Sequence, residues 1–180
     1  MVKIRHERAG DGAAREKLLD RVFGEARFLK TCERLRKDRL PADGLAFAAY
    51  HGRKLVGTVR LWNVVAGSAG PALLLGPLAV APEMRGRGIG AELMRHALAE
   101  ASLHGHGAIL LVGDEPYYRR FGFSTRAVKG LTLPGPVDRR RFLGLDLDGD
   151  ALKGARGMVG VPTAGILPGV AADLHIPARG

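Results

Sequence analysis

A short turn in the middle of the chain has the residue types of an anion-binding site. It reads Arg85-Gly86-Arg87-Gly88-Ile89-Gly90. Glycine lets a ligand approach the backbone closely, and the first N–H groups of a helix that follows such a turn have no partner inside the helix. Phosphate groups bind at such helix starts, and arginines can add charge-assisted hydrogen bonds. We therefore expect a phosphorylated ligand here. The alternative is a turn whose glycines serve only tight packing.

The elements on either side of the turn fit this expectation. The apolar run Leu73–Val80 predicts a buried strand, and apolar residues at helical spacing predict a helix from the turn to about His104, with Gly105 as its stop. Gly76-Pro77 interrupts the strand. Because proline has no N–H to donate to a sheet, we expect a break, a bulge or an edge at this point.

Two nucleotide-binding motifs can be compared with the glycine turn. A P-loop requires Lys-Ser or Lys-Thr after its last glycine, and neither follows Gly90. The dinucleotide motif G-x-G-x-x-G/A is matched literally by Gly86, Gly88 and Ala91. Its context does not fit, because a further link separates the strand from the glycines and the nearest acidic candidate, Asp114, lies too far along the chain. Neither motif is favoured.

The rest of the sequence predicts a series of strands and helices. Further strands are predicted over Val2–Arg5, Leu45–Tyr50, Leu55–Trp62, Ala108–Val112, Val128–Leu133 and Phe142–Leu147. Further helices are predicted between Asp11 and Gly24, over Arg27–Leu40 with a positive outer face, and over Tyr117–Arg120. This order predicts an α/β (α+β) fold, with a mixed, mostly antiparallel central sheet of about seven strands and helices on both faces.

The composition limits the class of protein. The chain has 180 residues, a net charge of +10 and one cysteine, Cys32. We expect a single domain over residues 1–180, with a core over 1–150 and an irregular tail over about 151–180. One cysteine allows no internal disulfide, and neither a signal segment nor a membrane-spanning run is visible, so we expect a cytoplasmic protein without a membrane partner. The charge suggests an anionic ligand, but the 6% aromatic content argues against stacking on nucleic acid bases.

Three motifs, in order, resemble the GCN5-related N-acetyltransferase (GNAT) family. The glycine turn is similar to the family's [Q/R]-x-x-G-x-[G/A] motif through Arg85, Gly88 and Gly90. The strand before it ends in Leu78-Ala79-Val80-Ala81-Pro82, which resembles the family's apolar-x-Val-x-Pro pattern. Downstream, Tyr118-Arg119-Arg120-Phe121-Gly122-Phe123 is similar to its Tyr-x-x-x-Gly-Phe motif, in the form of one bacterial branch.

The resemblance implies acetyl-CoA as acyl donor and a set of residues that bind it. The backbone N–H groups from Gly86 to Gly90, with Ile89 among them, and the side chains of Arg85 and Arg87 would bind the pyrophosphate. The backbone of Leu78, Ala79 and Val80 would hydrogen-bond the pantetheine arm as an added strand does. The strand over residues 108–112 would then splay away and leave a cleft for the thioester.

The catalytic groups are implied in the same way. The N–H of Val80 would stabilise the oxyanion, and Tyr118, which also borders the donor, would protonate the departing thiolate. Tyr117 is the alternative acid, and Tyr118 could instead be a packing residue. The general base stays open between a water chain and three side chains, Asp114, Glu83 and His51. We expect no metal, because His96, His104 and His106 do not form a ligand pattern.

The implied function is acetyl-CoA-dependent transfer of an acetyl group to a primary amine, by direct attack in a ternary complex. The amine would belong to a small molecule or a peptide, chosen by the segments near Arg27–Leu40 and Val64–Pro71 and by the C-terminal strands. Two alternatives are a CoA-binding regulator without catalysis and, less favoured, a basic nucleic-acid-binding domain. Exposed late strands would allow a homodimer.

Overall fold

The computed structural model describes residues 1–163. Its strands are β1 (Val2–His6), β2 (Ala46–His51), β3 (Lys54–Ala66), β4 (Pro71–Val80), β5 (Ala108–Val112), β6 (Leu131–Thr132), β7 (Phe142–Asp146) and β8 (Gly157–Gly160). Its α-helices are α1 (Gly12–Phe23), α2 (Ile89–Leu103) and α3 (Glu115–Tyr118). Short 3₁₀ helices connect several of them, including Glu25–Leu29, Thr31–Leu35, Pro82–Met84 and Arg119–Phe121.

The strands form one mixed, mostly antiparallel sheet, as predicted. Its order is β1-β2-β3-β4-β5-β7, with β8 added to β3 and β6 added to β8. Among the strands of residues 1–163, only the pairs β4–β5 and β6–β8 are parallel. The parallel pair β4–β5 is joined by α2, so this β-α-β unit stands in the middle of an antiparallel frame.

Helices cover both faces of the sheet. On one face, a side chain at Gly57 of β3 would collide with Leu93 of α2, at 2.9 Å, so the helix lies directly on the strand. On the other face, Glu7 bonds both to Arg60 of β3 and to Arg15 of α1. Successive residues of β4 point to opposite faces, so that Leu73 belongs to one buried apolar cluster and Leu74 to the other.

The predicted helix over Arg27–Leu40 is wrong. The segment instead forms the two 3₁₀ helices 25–29 and 31–35, separated by Lys30 in an extended conformation. Tertiary contacts override the helical pattern here: Leu35 is buried in the core, and the side chains of Thr31 and Arg34 donate to backbone carbonyls of the segment 134–136.

Two C-terminal expectations also differ from the structure. The strand predicted over Val128–Leu133 shrinks to Leu131–Thr132, because a 3₁₀ helix over Arg126–Val128 takes up its beginning. The tail predicted to be irregular contains β8, which pairs with β3 and β6. Residues 164–180 of that tail lie outside the described part of the chain.

No helix between residues 1 and 163 combines the length and the apolar character that a membrane span requires.

Candidate active site

β4 loses its partner on one edge just before the glycine turn. It pairs with β5 only at Leu73 and Leu74, whereas its pairing with β3 continues to Val80. β5 pairs instead with β7 along its whole length. The predicted interruption is present as well, because a β-bulge in the β3–β4 ladder coincides with Gly76-Pro77. A gap therefore opens between β4 and β5 beyond Leu74.

The hydrogen bonds of β4 decide which backbone groups face this gap. The N–H of Ala81 donates to the carbonyl of Val56 in β3, at 2.8 Å. In an antiparallel pair, N–H groups two residues apart point to the same side, so the N–H of Ala79 also faces β3. The N–H groups of Leu78 and Val80 point the other way and face the gap. An extended ligand in the gap can bond to these two residues as an added strand does.

The glycine turn brings unpaired N–H groups to the end of this gap. Gly86 and Gly88 have φ values of 76° and 77°, which side chains with a Cβ rarely adopt. The side chain of Ile89 is buried in the core and holds the start of α2 in place. The first bond of the helix runs from Glu92 N–H to Gly88, which leaves the N–H groups of residues 89–91 without a helical partner. Both arginines of the turn are exposed.

Tyr118 lies on the opposite wall, where α3 follows β5. Its ring packs so tightly on Gly113 that a Cβ there would lie 2.2 Å from Cε2. Burial, assisted by Tyr117 and Asp114, raises the pKa of Tyr118 to about 12. The hydroxyl therefore keeps its proton at neutral pH, which is the state that a general acid requires.

Tyr117 points to a different part of the site. A Cβ at Gly90 would lie 2.8 Å from the Tyr117 hydroxyl oxygen and 3.7 Å from Cγ2 of Val80. The Tyr117 hydroxyl thus stands between the start of α2 and the end of β4. The two tyrosine rings meet edge to face, with centroids 4.9 Å apart. Both remain candidates for contact with a ligand in the gap.

A cavity of about 610 Å³ adjoins the gap. Its walls are the bulge of β4, the end of β5, both tyrosines, the 3₁₀ segment around residues 29–36 and the loop 136–141. Two of the segments predicted to choose the acceptor thus line it, namely the one near Arg27–Leu40 and part of the C-terminal region. The segment Val64–Pro71 does not, because it packs against β8 and Arg156 instead.

The three side chains considered as general base lie in different places. Glu83 accepts from Arg21 and Lys54 at 2.8 and 2.6 Å, and these bonds lower its pKa to about 2. Glu83 and His51 are both exposed and stand outside the cavity walls. Asp114 borders the cavity, with its side chain 79% exposed and 3.6 Å from Arg141.

Sequence reasoning missed four residues of this site. Gly113 gives the Tyr118 ring its space, Glu33 and Asp138 add two carboxylates to that of Asp114 in the cavity wall, and Arg36 lies deep in it. In the sequence, the basic run over residues 27–39 is the only signal for Arg36, and it predicts a positive outer face. Arg36 instead turns inward, with its side chain 15% exposed.

A metal centre is not indicated by the described part of the chain. Among residues 1–163, no three His, Cys, Asp or Glu side chains come together as a ligand set. His96 packs edge-on against Phe47, with ring centroids 4.7 Å apart. The arrangement has room for an extended ligand along β4, an anion at the start of α2 and a small molecule in the cavity.

Comparison with known proteins agrees with this geometry. Residues 42–125 match the family model described as an acetyltransferase (GNAT) domain. The uncharacterized N-acetyltransferase YhbS of Escherichia coli strain K12 is 31% identical over 157 residues, which are 87% of this chain and 93% of YhbS. The uncharacterized N-acetyltransferase YjhQ of the same strain is 31% identical over 121 residues, or 65% of this chain and 67% of YjhQ.

Solved structures give the same result. The crystal structure of YhbS from Escherichia coli in complex with CoA has a TM-score of 0.75 and 28% identity, covering 88% of each chain. A GNAT family acetyltransferase from Brucella melitensis in complex with acetyl-CoA has a TM-score of 0.65 and 27% identity, covering 90% of this chain and 96% of its own. The chain belongs to the GCN5-related N-acetyltransferase family.

Proposed function

We propose that this protein is an acetyl-CoA-dependent N-acetyltransferase. The observation that carries the proposal is the open edge of β4, which presents Leu78 and Val80 to a gap that ends at the unpaired N–H groups of α2. An extended thioester whose other end is a pyrophosphate has the shape and charge for this groove. The similarity to YhbS and to the Brucella melitensis enzyme, which were crystallised with CoA and acetyl-CoA, supports the same ligand.

The residues around the donor site bind acetyl-CoA, orient its thioester and transfer protons. Acetyl-CoA supplies the acetyl thioester. Residues 86–90, with Arg85 and Arg87, hold the pyrophosphate, and the backbone of β4 aligns the arm that carries the thioester. The N–H of Val80 donates to the thioester oxygen, on which negative charge builds up as the amine attacks.

The chemistry requires proton transfers at nitrogen and at sulfur. The ammonium form of the amine must lose one proton to solvent before it attacks, and the nitrogen must lose a second one to solvent after the C–N bond forms, while the departing sulfur must gain one as the C–S bond breaks. Tyr118 holds a proton at neutral pH and lines the same cavity as Leu78, so it is the group that we assign to the departing thiolate. Solvent then returns a proton to Tyr118.

The acceptor that we propose is a primary amine on a small molecule or a peptide. Such a molecule would enter the cavity of about 610 Å³ and meet the thioester beside Val80. We also propose that the protein is cytoplasmic and that it forms a homodimer. Nucleic acid is not a proposed partner, because the basic side chains at this site line a cavity of small-molecule size.

A thiol-release assay with a panel of amines tests this function. Wild-type protein should release free CoA from acetyl-CoA only when a suitable amine is present, with the acetylated amine as co-product. Tyr118→Phe should reduce turnover by about 10²–10⁴-fold, the usual contribution of a general acid, while Tyr117→Phe should reduce it less. Retained acetyl-CoA binding with no turnover for any amine would favour the regulator instead.

A further inference from the structure

A largely buried cation, Arg36, stands in the cavity of about 610 Å³ (the acceptor cavity), with the Cys32 thiol and the Glu33 carboxylate as its neighbours. Arg36 lines this cavity and the neighbouring one of about 450 Å³, with its side chain only 15% exposed. Within residues 1–163, its Nε is fully buried and has no hydrogen-bond partner. The carboxylate of Glu33 approaches Nη1 only to 3.9 Å, which is too long for a hydrogen bond. A buried charge left in this way is costly unless a ligand completes its shell.

The other cations of the cavity wall are engaged differently. Arg27 is paired with Glu16 and Asp20, and Arg34 donates to a backbone carbonyl. Lys30 lies over the Phe23 ring at 4.6 Å. Burial lowers the pKa of Lys30, and the positive charges of Arg141 and Arg36 lower it further. The same wall carries three carboxylates, those of Glu33, Asp114 and Asp138, and none of them forms a hydrogen bond to Arg36.

The guanidinium of Arg36 is held against the β-bulge of the donor strand. A Cβ at Gly76 would lie 3.3 Å from its Nη2 atom, so only glycine leaves the group its full space. Gly76 also has a φ of 132°, which other residues rarely adopt. Its carbonyl accepts from the indole of Trp62 at 2.6 Å, which fixes the bulge. The cation therefore has a fixed position relative to the proposed thioester site.

We infer that the amine acceptor carries a carboxylate, which Arg36 binds through its guanidinium. A guanidinium matches a carboxylate with two parallel N–H bonds, and such charge-assisted pairs are the stronger ones in proteins. One buried cation suits a carboxylate, with its single charge, better than a phosphate dianion.

The geometry predicts the length of this acceptor. Four residues of β4 separate Gly76 from Val80, which at about 3.3 Å per residue is at most roughly 13 Å, and the bulge at Gly76-Pro77 shortens this path to roughly 10–13 Å. A contact of about 3 Å at each end, one to the guanidinium and one to the thioester, leaves ~4–7 Å between carboxylate and amine. This separation corresponds to about four to six single bonds, and 6-aminohexanoate is the longest acceptor in this range. The inference rests on the proposed function, since it names the substrate class of that same site.

A matched pair of amines tests the inference. 6-Aminohexanoate and hexylamine have the same chain, and differ only in a carboxylate in place of a methyl group. For wild-type protein, kcat/KM should be at least ~10-fold higher for 6-aminohexanoate, because a charge-assisted pair of hydrogen bonds is lost with hexylamine. β-Alanine should be poorer than 6-aminohexanoate because it is too short. O-Phosphoethanolamine tests the phosphate class in the same assay.

Variants of Arg36 show whether its guanidinium causes the preference for 6-aminohexanoate. Arg36→Met should bring the ratio of the two kcat/KM values close to one, and Arg36→Lys should keep part of it. Arg126→Met, which alters an exposed arginine outside the cavity, should leave the ratio unchanged. Thermal unfolding and acetyl-CoA affinity of each variant show that its fold and donor site are intact.

Equal rates for the two amines in wild-type protein, or a preference that survives Arg36→Met in a folded protein, would overturn the inference. A preference for O-phosphoethanolamine over both carboxylates would overturn the carboxylate class. Binding of hexanoate, which has no amine, separates this question from catalysis. If acetyl-CoA does not bind at all, the proposed function fails, and hexanoate binding that depends on Arg36 still tests the carboxylate site by itself.

Discussion

Replacing Gly113 with alanine should displace Tyr118, the proposed general acid, without changing the tyrosine itself. The new Cβ would lie 2.2 Å from Cε2, 2.9 Å from Cδ2 and 3.2 Å from Cζ of Tyr118. Contacts of 3.4 Å or more are ordinary, so the ring must move by about 1.2 Å. A misplacement of about 1 Å in a catalytic group can cost on the order of 10²-fold in rate. Overpacking of this kind also costs about 1–3 kcal/mol of stability.

Steady-state kinetics at saturating acetyl-CoA measures the effect. Gly113→Ala should lower kcat by roughly 10²-fold, with a smaller effect on acetyl-CoA affinity, because the pyrophosphate site in the glycine turn is unchanged. Gly10→Ala is the matched control, since a Cβ at Gly10 meets no heavy atom within 4 Å. Wild-type kcat in a folded Gly113→Ala variant would refute the reasoning that Tyr118 must keep its position.

Two further predictions concern stability and pH. The pKa of Tyr118 is raised to about 12, so its contribution is present below pH ~10 and is lost as pH rises toward 12; urea unfolding should show wild type losing at most about 2–3 kcal/mol more than Tyr118→Phe over this range. Asp11 accepts hydrogen bonds from Arg5 and Tyr50, and the bonds from Arg5 lower its pKa the most. The stability that Asp11 contributes is present above pH ~4 and is lost as pH falls. Asp11→Asn should therefore be about 1–3 kcal/mol less stable than wild type at pH 7, and its stability should fall less on acidification. If the free energies of unfolding of the two proteins fall in parallel as pH is lowered, this assignment is wrong.

The sequence could predict the elements whose signals are local. The apolar run of β5, the helix stop at Gly105 and the interruption at Gly76-Pro77 each follow from residue types a few positions apart, and the structure contains all three. The glycine turn at the start of α2 is equally local. The mixed sheet followed from the order of these elements, because a single β-α-β unit within a series of hairpins leaves few arrangements.

The sequence could not predict what distant segments impose on one another. Nothing near Arg36 indicates that its side chain turns inward, since that depends on Leu35 packing under the sheet and on loop 134–136 holding Thr31 and Arg34. Gly113 appears as an ordinary loop glycine until the Tyr118 ring is placed beside it. β8 forms only because β3 continues to Ala66 and offers it an edge.

Isothermal titration of acetyl-CoA into the protein tests the central claim most directly. The groove along β4 and the unpaired N–H groups of α2 predict saturable binding with one acetyl-CoA per chain. Gly90→Ala, whose Cβ would meet the Tyr117 hydroxyl at 2.8 Å, should weaken this binding, whereas Gly10→Ala should not. A folded wild-type protein that gives no saturable heat with acetyl-CoA would contradict the account.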